Sequence, residues 1–146
     1  MLTDEVIARL VAEVPAFVSV EGAAALAAVM KGGRAPNRMP AAFVLSAGLR
    51  ARPADAVAGL YRQSVSEVTG VLIVAGVAGD ARGGAAAARA ETLCGLVIGA
   101  LAGWMPEGDD VMGPMELTSA ELLGLDAGVV SYQVSFTTPQ QLRITR

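Results

Sequence analysis

The chain of 146 residues has no histidine and a single cysteine, Cys94. Those two shortages remove Cys/His zinc sites, histidine-based acid–base catalysis and the usual hydrolytic triads together. One cysteine also forbids an intrachain disulfide. Because Cys94 falls inside an apolar helical pattern, it is expected to be a small buried hydrophobe. Lysine is nearly as scarce: Lys31 stands alone beside ten arginines, and with 14 acidic residues the net charge is −3 and the pI near 4.9. Such a balance offers no broad basic face to neutralise phosphates, which argues against a dedicated nucleic-acid binder. Long apolar runs are missing too. The uncharged, mostly apolar stretch 92–106 is closed by Glu91 and Glu107 and is shorter than the roughly 20 residues a membrane helix needs. The acidic start Met1-Leu2-Thr3-Asp4-Glu5 is not that of a secretory signal. A soluble intracellular product with no membrane partner is the expectation.

What is present suffices to fold. Apolar residues make up 53% and charged ones only 17%, so the chain can bury enough surface to offset its conformational entropy. Its length suits one domain spanning 1–146. The abundance of Ala, Gly and Arg is read as codon bias.

Periodicity then sets the elements. Thr3 is placed to cap a helix with Asp4 and Glu5 in its first turn and Val6, Ile7, Leu10, Val11 and Val14 on one face, stopped by Pro15. A short strand at Phe17–Val20, an Ala-rich helix ending at Gly32-Gly33 and a short buried strand at Ala42–Leu45 follow. From Ser46 to Arg62 no period is visible, so a long functional loop is expected there. Ser64 to Val77 alternates at first and becomes apolar on both sides, the pattern of a central strand covered on both faces at its far end. After Gly83-Gly84 comes the clearest helix, with Leu93, Leu96, Val97, Ala100, Leu101 and Trp104 at helical spacing. A loop at 105–114 leads to a strand from Met115 to Leu123. After the reversal at 124–128, Val130, Tyr132, Val134 and Phe136 alternate with polar residues. The order predicts an α+β fold: one mostly antiparallel sheet of about four strands with helices packed on one face.

Candidate chemistry is sparse, and neither a catalytic centre, a cofactor nor a metal site is expected. Asp109 and Asp110 in a Gly/Pro loop fall far short of the six to eight oxygens calcium takes. Glu116 and Glu121, five apart on a strand, are expected on opposite faces. The Gly76–Gly84 segment joins a strand to a helix, where an anion site is possible, but it matches neither nucleotide fingerprint and is read first as a flexible turn. Arg34, Arg38, Arg50, Arg52 and Arg62 form a local basic stretch, able to touch an acidic partner or DNA or simply to solubilise the loop. Trp104 continues an apolar stripe, as a core or interface anchor.

These residues in order resemble the tail terminator proteins of tailed bacteriophages and phage-like particles. The similarity is strongest in the Val71-Leu72-Ile73-Val74 strand end, Asp80-Ala81-Arg82-Gly83 before an Ala-rich helix, and the exit Leu101-Ala102-Gly103-Trp104-Met105-Pro106-Glu107-Gly108. Gly113-Pro114-Met115-Glu116-Leu117, Leu122 to Gly128 and Tyr132-Gln133-Val134-Ser135-Phe136-Thr137-Thr138 follow. Ser131 departs from the pattern, where a second aromatic is expected. The resemblance implies a non-enzymatic virion subunit in a ring, expected to be a hexamer, that caps the tail tube, ends its polymerisation and meets head-completion or neck proteins. The genome would pass through the ring without specific contact, and assembly would occur in the bacterial cytoplasm. Arg50, Arg52, Arg62 and Trp104 are the candidate interface residues. The alternatives are another neck or tail-completion protein, or a small-ligand binder using the Gly76–Gly84 turn.

Overall fold

The computed structural model describes residues 1–33, 36, 38–76, 84–126 and 128–145. Its elements are α1 (Thr3–Glu13), β1 (Ser19–Glu21), α2 (Ala23–Lys31), β2 (Ala41–Ala51), β3 (Asp55–Val57), β4 (Leu60–Gly76), α3 (Gly84–Leu101), β5 (Glu116–Asp126) and β6 (Val129–Thr145). The fold is α+β with one open sheet in the order β1-β2-β4-β6-β5, and β3 also pairs with β4. Every pairing is antiparallel except that of β1 with β2.

The central position expected for the Ser64–Val77 run is occupied by β4, which pairs with β2 and β6 and meets β6 along all 17 of its residues. Residues paired across a ladder share a face, so the register sorts the sheet into two lanes. The first face carries Ala42, Val44, Val71, Ile73, Ala75, Val130, Val134 and Phe136 into one core with α1 and α3. Val6, Leu10 and Val14 come from the α1 end, and Ala86, Ala90, Leu93, Val97 and Leu101 from α3. α3 is long and apolar enough, by length and composition, to cross a membrane. Here its stripe is buried against β4 and β6, while Arg89 and Glu91 are exposed. Each large apolar side chain so buried contributes about 1.5–3 kcal/mol.

On the second face, α2 covers Ala41, Phe43 and Val74 with Leu26 and Val29. All helices were expected on one side. Two lie there, and α2 takes the other because both lanes of β2 and β4 are apolar at this end, which leaves a second surface to cover.

Two local expectations are corrected. Leu2, not Thr3, occupies the N-cap of α1, and no side chain caps that terminus. The expected loop from Ser46 to Arg62 is mostly sheet: β2 runs on to Ala51, and β3 forms a hairpin with the start of β4 through Ala58 and Gly59. The pattern vanished because these strands leave the core and both of their faces are wet. A bulge between Ser46 and Gly48 also breaks the alternation midway.

Candidate assembly surfaces

Beyond Val65, the last buried position at this end of β4, residues 60–64 continue with β3 on one side and residues 141–145 of β6 on the other. At the rise of an extended strand this arm projects about 15 Å. Its basic side chains share one face. Arg50 pairs with Ser66, and the Arg52 backbone N–H donates to the Ser64 carbonyl at 3.0 Å, carrying that ladder one step further. Arg62 lies between Asp55 and Arg143. Arg50, Arg52, Arg62 and Arg143 therefore all occupy the second face. The bulge in β2 is the reason: without its extra residue, Arg50 and Arg52 would point to the helix side.

Electrostatically this face is unbalanced. Arg62 and Arg143 are direct cross-strand neighbours, a like-charge arrangement that costs a fraction of a kcal/mol. Among the described residues one carboxylate is in reach, Asp55, at 4.0 Å from the Arg62 guanidinium. The Arg143 Nε donates to the Gln141 side chain. Gln63 stiffens the arm from the other face: its Nε2 donates to the Arg52 carbonyl at 2.7 Å, and its Oε1 accepts from the Tyr61 hydroxyl. A depression of about 270 Å³ lined by Pro53, Asp55, Arg62, Gln63, Ser64 and Gln141 is polar and small beside the mostly apolar pockets that hold ligands.

One edge of the sheet is β5. Among the described residues its 11 residues pair on one side only, with β6, and Leu117, Leu122, Leu123 and Leu125 are all exposed, the last three more than half. Bulges between Leu117 and Ser119 and between Leu122 and Gly124 shift its register. The first bulge corrects the expectation for Glu116 and Glu121: opposite Thr137 and Gln133, they share the second face. Those partners are four residues apart, about 13 Å along the strand, so the two carboxylates form an acidic strip and not a catalytic pair.

Trp104 stands apart from the arginines brought together on the arm. It is half-buried at the exit of α3, where its backbone N–H donates to the Leu101 carbonyl and its carbonyl accepts from the Met115 backbone N–H. The Arg9 guanidinium lies 5.4 Å from the centre of its ring. The same arginine donates from Nε to the Ala100 carbonyl at 3.0 Å and meets Glu13 at 3.3 Å. A cation is favourable at the C-terminus of α3, so this cluster ties α1 to α3.

Elsewhere chemistry is scarce. Cys94 is buried, and burial, with a smaller push from the Glu91 carboxylate, raises its thiol above the ordinary value. Such a thiol is a poor nucleophile at neutral pH. Among the described residues no cluster of three or more His, Cys, Asp or Glu side chains could hold a metal ion. Asp109 and Asp110 are exposed. Residues 77–83 of the Gly76–Gly84 turn lie outside the described residues, as does Arg34.

One feature went unread in the sequence. Glu67 is 1% exposed, and its carboxylate accepts the Leu2 backbone N–H at 2.8 Å and the Gln140 side-chain amide at 3.5 Å. It pins the N-terminus of α1 onto the centre of the sheet. The signal was its place in the lane Val65, Glu67, Thr69, Val71, whose members are all buried.

A sheet with a projecting basic arm and an acidic, leucine-bearing edge strand, and no metal-holding cluster among the described residues, fits the class of small structural subunits. The chain belongs to the phage tail terminator protein family, whose model matches residues 1–146. It is thus a structural component of the virion tail and associates with other phage proteins. No curated protein matches it.

Proposed function

We propose that the chain, a single assembly domain over residues 1–146, forms a ring that caps the completed tail tube, ends its polymerisation and presents a docking surface to head-completion or neck proteins. The observation that carries this reading is the pair of unfinished surfaces on one sheet, the edge strand β5 and the arm that projects beyond it. A contact between unlike surfaces of identical copies generates a ring when its rotation closes; six copies is the number the family resemblance implies. Arg50, Arg52 and Arg62 serve as contact residues on the arm, and Trp104 serves at a second contact beside α1. The role is non-enzymatic, since docking alone accomplishes it. Assembly takes place in the host cytoplasm, and the genome passes through the lumen without sequence-specific contact.

The test is growth of tail-tube protein with and without the purified chain, followed by electron microscopy. Added chain is expected to leave a disc of density at one tube end and to halt elongation there. Tubes that keep growing at both ends with no bound density would refute the proposal.

A further inference from the structure

The arm and β5 match each other face by face. On the second face the arm carries Arg50, Arg52, Arg62 and Arg143, while β5 carries Glu116 and Glu121. On the first face the arm carries exposed Leu49 and Leu142, paired with Glu67 and Gln63, while β5 carries exposed Leu117, Leu122 and Leu125. Neither Glu116, Glu121 nor Arg143 makes an ion pair among the described residues. Among the described residues the outer edge of β5 offers unpaired backbone groups over 11 residues, which natural sheets normally blunt or cover.

We propose that the arm of one copy seats against the outer edge of β5 in the next copy, so that the sheet continues from subunit to subunit. The occupant is a second copy because the complementarity is internal to this chain: guanidiniums meet carboxylates on one face and leucines meet leucines on the other. The two surfaces are different, β5 lying beside residues 129–137 of β6 and the arm reaching out at residues 141–145 of that strand, so the contact is head-to-tail, and each copy keeps one free surface of each kind until the ring closes. The Arg62–Arg143 repulsion that burdens the isolated arm is relieved when Glu121 or Glu116 of the neighbour comes alongside. This inference rests on the ring reading above and supplies the contact that builds the ring.

Charge reversal tests it with the full chain. Arg143→Glu, Glu121→Arg and the double variant are compared with the wild type by sedimentation over a concentration series, with thermal unfolding as the folding control. Both positions are exposed, so unfolding temperatures of the dilute chain should not fall, and that of Arg143→Glu, which removes the like-charge neighbour of Arg62, should rise slightly. Each single reversal is expected to weaken self-association at least about tenfold, because an interfacial attraction becomes a repulsion. The double variant, and an equimolar mixture of the two single variants, should recover assembly. Wild-type assembly untouched by either reversal, or a double variant no better than the singles, would overturn this contact and leave the ring reading intact. Reversals that spare self-association but abolish binding to tube ends would overturn it as well, by assigning the surfaces to the tube. A wild type that stays monomeric at every concentration and in the presence of tubes would remove both.

Discussion

Among single residues, the threonines beside Glu67 are the least comfortable in the fold. The Thr69 and Thr138 hydroxyls are buried and make no hydrogen bond among the described residues, and Thr138 is the direct cross-strand partner of Glu67. A buried hydroxyl without a partner loses its hydration for nothing in return, so an isosteric methyl should be tolerated or preferred. Thr138→Val is expected to leave stability unchanged or raise it by up to about 1 kcal/mol, measured by urea unfolding. A loss beyond that range would mean that the hydroxyl is bonded. At this scale the sequence was readable where one side chain follows one lane. Cys94 lies buried in α3 as its helical spacing implied. Glu121 did not follow, because a single extra residue at the Leu117–Ser119 bulge reversed its face.

Among elements, the β3–β4 hairpin governs the arm. Ala58 and Gly59 form its two-residue turn between paired Val57 and Leu60, with φ of 46° and 87°. This is the sign pattern of the type I′ turn, which favours Asn-Gly. An alanine in the left-handed region costs about 1 kcal/mol. Ala58→Asn is therefore expected to stabilise the chain by up to about 1 kcal/mol, a rise of roughly 2–4 °C in Tm for a chain of this size. A fall in Tm would contradict the turn geometry. The same region shows what periodicity conveys and what it omits. Val130, Tyr132, Val134 and Phe136 alternate because one side of β6 meets the helices, and they were legible. Arg50 and Arg52 alternate with exposed Leu49 and Ala51, and Arg62 stands between half-buried Tyr61 and Gln63, because no helix among the described residues covers the arm. Strand geometry there comes from pairing with β4 and β6, which a single sequence does not display. The candidate arginines were found as a cluster but assigned to a loop, and their partner Arg143 was found only in the fold, since it lies 81 positions after Arg62.

For the whole molecule, the proposed ring makes the isolated chain an unfinished object. Its interior is closed on both faces around β2 and β4, while its arm and its β5 edge remain open and complementary in charge. The family match over residues 1–146 gives that incompleteness a setting, the phage tail, where the proposed ring would bring copies together. The central claim is that assembly covers β5 and the arm. Hydrogen exchange measured on dilute chain and on the assembled form tests it most directly. The account predicts that amides of residues 116–126 and 142–145 gain protection on assembly while those of the α3 core change little. Assembly that leaves both segments as exchangeable as in the dilute chain would contradict it.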